Sequence, residues 1–536
     1  MRHWFYTIAV AVLALVGFLG WLWQPLYWLY VFVVPVVLLG IKDSLQTRRA
    51  VLRNFPVIGH FRYLFEMIRP EINQYFIESN TDGKPFSREL RSVVYQRAKK
   101  QRDTVPFGTQ RDVYEVGYEW LNHSITARQV HDVPRIRLGE GRCEQPYAAA
   151  VLNVSAMSFG SLSANAIRSL NGGARIGHFF HNTGEGGISA HHLEPGGDLC
   201  WQIGTGYFGC RNRDGTFDIE AFAEKAQLPQ VRLIEIKLSQ GAKPGHGGIL
   251  PAAKVTEEIA AIRGVPLGED VLSPPYHTAF STPRGLLQFV QQLRERSGKP
   301  VGFKLCVGHR AEFLGICKAM VATGIVPDFI TVDGGEGGTG AAPLEFSNSI
   351  GTPLTEGIVF VHNALEGFGL RQDVRIIASG RIITGFQIAQ RIAAGADLCN
   401  SARGFMFSLG CIQALRCNSN DCPVGVATQD PGLSGGLVIT HKTQRVASWQ
   451  KETVQAFLET LGAAGLSHPD ELRPWHIHRR TSPTEIRTYS EIYPYLKKGQ
   501  LLGEEIPEAW QRSFAMADPD AFRPDPEAAA TSGVVD

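Results

Sequence analysis

Three cysteines, Cys411, Cys417 and Cys422, fall within one short stretch, CIQALRCNSNDCPVGVATQ (residues 411–429). Thiols this close suit a metal site or a disulfide, but three is the wrong number for the common form of either. A structural zinc takes four ligands, and a disulfide would leave one thiol over. Soft thiolates at a C-x5-C-x4-C spacing suit an iron–sulfur cluster. Three ligands suit a cluster lacking one iron, [3Fe-4S]. A [4Fe-4S] centre with a non-cysteine or distant fourth ligand, Cys399 being the nearest cysteine, stays open. The remaining cysteines are scattered and the total of nine is odd, which points to a reducing compartment rather than a disulfide framework.

A second set of candidates precedes the cysteines, and nearly all of its members follow short apolar runs. Ser155, Ala156, Met157 and Ser158 follow the first run, and NTGEGG with Glu185 follows the second. Lys237 ends the fourth and leads into QGAKPGHGG with Gln240 and Lys243; Lys304 lies in the fifth. The sixth opens DGGEGGTGAAP at Asp333, Gly334 and Gly335, the seventh gives Gly380 and Arg381, and the eighth gives Ser401, Arg403 and Gly404. Singly, a glycine there is turn chemistry and a lysine is a snorkelling side chain. Their concentration suggests more. Glycines and arginines after the last two strands of a barrel commonly hold phosphate. A lysine in the mouth can stabilise the anionic reduced form of an electron-accepting ring. A phosphate grip with an interior cation implies a phosphorylated redox cofactor, and FMN is the economical choice.

These residues need strands to carry them. Short runs rich in Val, Ile and Phe alternate with amphipathic segments from about residue 148, the pattern of βα units and a parallel sheet. Eight candidate strands lie near residues 150, 180, 205, 235, 303, 330, 377 and 399. Eight over this length predict an α/β fold, a closed (β/α)8 TIM barrel spanning 148–430. An open doubly wound sheet is the alternative, weakened because no GxGxxG opens a helix after an early strand.

Outside the barrel the chain varies in character. Residues 7–23 and 26–41 are apolar runs split at Gln24-Pro25, with no charge between Trp4 and Ile41. They predict a transmembrane helical hairpin over 1–42. Arg2 before it and Lys42, Arg48, Arg49 and Arg53 after it place both ends, and the catalytic domain, on the cytoplasmic side of the cytoplasmic membrane. Residues 43–147 read as a helical collar, 431–514 as a C-terminal helical extension and 515–536 as a disordered tail. The net charge of +2 gives no bulk attraction to nucleic acid.

With these residues in place, a family resemblance emerges. SAMSFGSLS, NTGEGG, QGAKPGHGGILP, VLSPPYH, DGGEGGTGAAP and GCIQALRCNSNDCPVGVATQ closely resemble the FMN and iron–sulfur domain of glutamate synthase, in order over roughly 148–430. The resemblance implies that Cys411, Cys417 and Cys422 ligate a [3Fe-4S] cluster. It also implies that Ser155–Ser158, Lys304 and the glycine loops hold FMN, and that Glu185, Lys243 and Arg263 line a 2-oxoglutarate site beside Lys237 and Gln240. Lys243 and Arg263 can pair with two carboxylates, and Glu185 can exchange protons with the amine nitrogen. Two positions depart from the family pattern: His246 and Ile249 stand where glutamate and glutamine are usual, and Ile249 cannot hydrogen-bond a keto acid.

The sequence therefore predicts a glutamate-synthase-like oxidoreductase acting on a CH–NH2 bond, without its own glutaminase domain. Ammonia would come free or from a separate subunit, and electrons from a partner such as ferredoxin or a membrane donor. The alternative is a membrane-linked amine or amino-acid dehydrogenase passing electrons outward through the cluster.

Overall fold

The structure is a computed structural model and describes residues 2–101 and 103–527. The chain divides into two compact units, Met1–Arg88 and Glu89–Asp536.

In the first unit, the two apolar runs become helices α1 (Arg2–Leu22) and α2 (Tyr30–Leu45), joined by a 3-10 turn at Gln24–Leu29 that Pro25 starts. Small residues let the helices meet. Gly17 and Gly20 lie against Tyr30 and Tyr27, Gly40 lies against Phe5, and Tyr30 Oη donates to Leu13 O at 2.8 Å. Large apolar side chains face outward, among them Val10, Phe18, Phe32 and Leu38. Arg2–Leu22, and Gln24–Leu45 taken as one helical segment through the 3-10 turn, are long and apolar enough to cross a membrane. Asp43, at the end of α2, accepts from Val57 N and pairs with His60 Nε2, fixing the start of α3 (Gly59–Ile72).

The second unit is built on the eight predicted strands: β1 (Leu152–Val154), β2 (His181–Asn182), β3 (Leu199–Ile203), β4 (Val231–Lys237), β5 (Val301–Leu305), β6 (Phe329–Asp333), β7 (Arg375–Ser379) and β8 (Leu398–Ser401). All pair in parallel in chain order, and β8 closes on β1 to complete a TIM barrel. The main surrounding helices are α4 (Ala164–Gly177), α5 (Pro283–Ser297), α6 (Arg310–Thr323), α7 (Leu354–Gly367) and α8 (Gly385–Ala394). Their ends are marked in the sequence: Ser163 caps α4, Thr384 and Gln387 form a capping box on α8, and Gly298 and Gly324 close α5 and α6 in left-handed conformation.

Alternation along the strands stacks the interior in layers. At the bottom, Phe180, Cys200, Leu233, Phe329, Ile377 and Leu398 form an apolar plug with Leu138 and Ala149. Two residues further along each strand the filling turns polar. Glu235 Oε1 accepts from Asn182 Nδ2 at 2.8 Å and Gln202 Nε2 at 2.7 Å, and its Oε2 accepts from Thr331 Oγ1 at 2.6 Å. The next step up carries Lys237, Lys304 and Asp333.

Three flanking expectations need correction. The collar over 43–147 is not wholly helical: Glu119–Leu121 pairs with Ile477–Arg480, and Arg135–Leu138 pairs with Tyr147–Ala150. The extension over 431–514 holds one long helix, α10 (Ile439–Ala463, counting Arg403–Leu409 as α9), followed by an antiparallel hairpin, Ile477–Arg480 with Ile486–Thr488. The tail is ordered well past 515. Trp510 stacks on Phe360, Lys318 Nζ donates to Phe514 O and Ala517 O, and Arg284 forms a two-pronged pair with Asp520. Aromatic anchors and ion pairs outweigh its disorder-prone composition. Residues 528–536 lie outside the described residues.

Candidate active site

At the C-terminal mouth of the barrel, one carboxylate stands among three cations. Glu185 follows β2, and Lys237, the last residue of β4, donates to its Oε1 at 2.6 Å. Lys237 also donates to Gln240 Oε1 at 3.2 Å, and Gln240 Nε2 reaches Gly338 O at 2.9 Å. Burial raises the pKa of Glu185, but the charges of Lys237, Lys243 and Arg263 outweigh it and hold the carboxyl below its ordinary value. Burial and then the Lys237 charge push Lys243 down to about 8, against the pull of Glu185. Burial lowers Arg263 to about 10. Its Nη2 donates to Phe159 O at 3.1 Å, whereas its Nε is buried without a hydrogen-bond partner among the described residues. The cluster has excess positive charge and an unused donor, the condition a bound dianion would relieve.

Deeper in the mouth, Lys304 Nζ pairs with Asp333 Oδ2 at 3.2 Å. Burial lowers its pKa, but Asp333, Glu235 and Glu185 reverse that and leave it raised, so the ammonium stays charged. Asp333 Oδ2 also accepts from Gly241 N at 2.8 Å. A Cβ on Gly241 would overlap the carbonyl of Gly334, so the loops after β4 and β6 touch backbone to backbone. Gly334 N and Gly335 N donate to Ser379 O and Thr352 O, which commits both to the protein's own main chain.

The ends of β1, β7 and β8 meet on the other side of the mouth. Ser155 Oγ lies 3.2 Å from Ser379 Oγ, Ser158 Oγ donates to Ser161 Oγ at 3.0 Å, Met157 is buried, and Ala156 beside it is partly exposed. Gly380 and Arg381 both have positive φ, at 144° and 47°. A non-glycine residue held left-handed after a strand is a marker of a functional turn. Burial and then the Arg381 charge lower Arg403 to about 10. Arg403 Nη2 donates to Glu336 O at 2.6 Å, and two guanidiniums at adjacent strand ends suit a phosphate group. Ser401 Oγ instead donates to Ile382 O at 2.7 Å, and a Cβ on Gly404 would lie 2.5 Å from the Trp449 ring, so these two residues shape the turn.

The cysteine segment follows α9. Among the described residues, no group of three or more His, Cys, Asp or Glu converges tightly enough to hold a single metal ion. Ligands of a cluster bind different irons and stand further apart than ligands sharing one ion, so the fit rests on other features. The thiols of Cys417 and Cys422 act electrostatically on Cys411, whose pKa burial pushes up to about 12. Gln413 N donates to Cys411 Sγ at 3.5 Å, and Gln413, Leu415 and Asn420 all have positive φ. Three left-handed non-glycine residues lie in the loop that carries the three thiols, a strained backbone of the kind that clusters at ligand sites. Thiolates holding iron would suit such a site.

Comparison with known proteins gives the chain a family. The family model described as the conserved region in glutamate synthase matches residues 94–467. The chain belongs to the glutamate synthase family. Its relatives include the glutamate synthase large subunit-like protein YerD of Bacillus subtilis (strain 168), 37% identical over 501 residues, which cover 85% of this chain and 95% of that one. The archaeal glutamate synthase [NADPH] of Methanocaldococcus jannaschii is 36% identical, covering 60% of each chain. The glutamate synthase [NADPH] large chain of Azospirillum brasilense is 34% identical, covering 58% of this chain and 20% of that one. Thus the match spans about 60% of the archaeal enzyme and a fifth of the large chain. Among solved structures, a mandelate oxidase with (S)-4-hydroxymandelic acid matches at a TM-score of 0.41 and 13% identity, covering 75% of this chain and 90% of that one.

His246 and Ile249 lie in the loop after β4 that carries Lys243, and His246 N donates to Lys243 O at 3.3 Å. His246 packs edge-on against Phe346, and Ile249 pairs with Leu272 in a short antiparallel strand. Between them, a Cβ on Gly248 would lie 2.6 Å from Glu185 Oε1. Two groups escaped the sequence reading. Glu235 was signalled only by an acid two residues before Lys237 in the run RLIEIKL. His277, lowered to about 4 by burial, lies 2.9 Å from Lys237 O and supports the end of β4.

Proposed function

We propose that this protein is an FMN- and iron–sulfur-dependent oxidoreductase of glutamate synthase type, acting on a CH–NH2 bond to form glutamate from 2-oxoglutarate and ammonia. The observation that carries the reading is the mouth cluster: Lys237, Lys243 and Arg263 around Glu185, two positive charges in excess, facing a substrate with two carboxylates. Lys243 and Arg263 hold those carboxylates. Glu185, kept ionised and held in place by Lys237, takes the proton released as ammonia adds to the keto carbon. Loss of water gives the imine, and addition of a hydride and a proton gives the amino acid. FMN supplies that hydride when bound. Arg381 and Arg403 would hold its phosphate, and the charged Lys304 would face its ring. Cys411, Cys417 and Cys422 would hold a [3Fe-4S] cluster. The family match favours this direction over amine oxidation.

Ammonia would arrive free or from a separate subunit, and electrons from ferredoxin or a membrane donor. The helical hairpin would anchor the protein in the cytoplasmic membrane with the barrel on the cytoplasmic side. The outward apolar faces of α1 and α2 support this, as does the exposed stripe of Phe61, Leu64, Phe65 and Ile72 on α3.

The test is anaerobic spectroscopy of the purified full chain. The flavin is reduced chemically, 2-oxoglutarate and ammonium are added, and the return of the oxidised band is followed alongside glutamate. Rapid reoxidation with matching glutamate is the expected result. A flavin that stays reduced overturns the substrate assignment.

A further inference from the structure

Lys254 is a buried lysine with no carboxylate partner among the described residues. It ends the short turn Ala252–Lys254, is 2% exposed, and donates through Nζ to three main-chain carbonyls: Cys417 O at 2.6 Å, Ala427 O at 2.7 Å and Ser161 O at 3.1 Å. An ammonium has three protons to donate, and all three are used. Carbonyl dipoles complete its hydrogen bonds but do not neutralise its charge, and a buried unpaired cation is costly. Its Nζ sits on the main chain of one of the three cysteines, Cys417, and the burial that lowers its pKa is opposed by Cys417 and Cys422. As neutral thiols they offer no compensation. Three thiolates, by contrast, outweigh the positive charge of a [3Fe-4S] core and leave a net anion, and reduction adds a further negative charge.

We propose that Lys254 is the built-in counter-ion of the cluster, a fixed cation that raises the cluster's reduction potential. This rests on the assignment of the cluster to Cys411, Cys417 and Cys422. The same three bonds give the lysine a second consequence. Ser161 belongs to the loop that begins at Ser155 in the flavin-side mouth, Cys417 to the cysteine loop, and Ala427 to the segment closing that loop. One ammonium therefore joins the two cofactor regions, so its charge acts at their junction. It is a positioning residue and touches no substrate.

Two substitutions in the full-length protein separate charge from geometry. Lys254→Gln removes the charge and keeps two N–H donors, and Lys254→Arg keeps the charge. Iron and acid-labile sulfide are measured first. A wild-type chain lacking both refutes the cluster assignment itself, independently of Lys254. With the cluster present, an EPR-monitored redox titration is expected to give Lys254→Gln a lower cluster midpoint. The reduced-to-oxidised ratio at the wild-type midpoint should fall tenfold, about 59 mV for one electron. Lys254→Arg should stay near wild type. If Lys254→Gln loses its cluster but keeps its flavin, the proposal stands when Lys254→Arg retains the cluster and fails when Lys254→Arg loses it too. A Lys254→Gln cluster at the wild-type midpoint overturns the proposal.

Discussion

Replacing Lys243 with methionine tests the mouth cluster most directly. The change keeps the length of the stem and removes one cation from a site where Lys237, Lys243 and Arg263 surround Glu185. A hydrogen bond to a charged group contributes about 1.5–3 kcal/mol, so affinity for the dicarboxylate should fall roughly 10- to 150-fold at neutral pH. The pH profile sharpens the test. Lys243 is charged below its lowered pKa of about 8 and loses its proton above it. In the wild type, kcat/KM for 2-oxoglutarate should be level below that point and fall about tenfold per pH unit above it. Free ammonia is held saturating at each pH, so that its own titration does not intrude. The Lys243→Met protein should be weak throughout and lack the limb near 8. Glu185→Gln removes the one charge that raises Lys243, so the limb should move to lower pH. A limb near 8 that survives in Lys243→Met, or one that moves upward in Glu185→Gln, would refute the reasoning.

Further expectations concern cofactors, packing and anchoring. Arg403→Leu should weaken FMN binding by roughly 10- to 150-fold through loss of a charged contact, measured by flavin release on dilution. Cys417→Ser should abolish the iron signal in EPR while leaving FMN content intact. Gly241→Ala should destabilise the fold by about 1–3 kcal/mol or more, because its Cβ would overlap the Gly334 carbonyl; urea denaturation reads this. Deleting residues 1–45 should release the protein from carbonate-washed membranes, and retention would show that another segment anchors it.

The barrel was legible because its strands end in recognisable turns and its helices carry ordinary caps. RLIEIKL announces β4 as a short run rich in Leu and Ile. The charged residues were legible in kind but not in partnership. Nothing in the local sequence says that Lys304 pairs with Asp333, or that Gly334 and Gly335 spend their N–H groups on Ser379 and Thr352. Both depend on which loops meet across the mouth, a matter of tertiary approach rather than spacing. Lys254 escaped for the same reason, since its acceptors lie up to 173 positions away. The tail was misread because composition averages over the Ala517, Asp520 and Phe522 contacts that dock it.

The polar layer inside the barrel bears on how this architecture can be assembled or divided. (β/α)8 barrels invite comparison with two fused half-barrels. A fragment ending after α5 would contain Asn182, Gln202 and Glu235, and so would satisfy one oxygen of the Glu235 carboxylate. Its other oxygen depends on Thr331, and the neighbouring cation on Lys304, both supplied by the later half. Closing the early half alone would seal a carboxylate with one oxygen unsatisfied and without the Lys304 ammonium. The two halves are therefore electrostatically incomplete apart. Splitting the chain at residue 298 should yield fragments that fold only when mixed, and a circular permutant keeping all eight strands should tolerate the new ends.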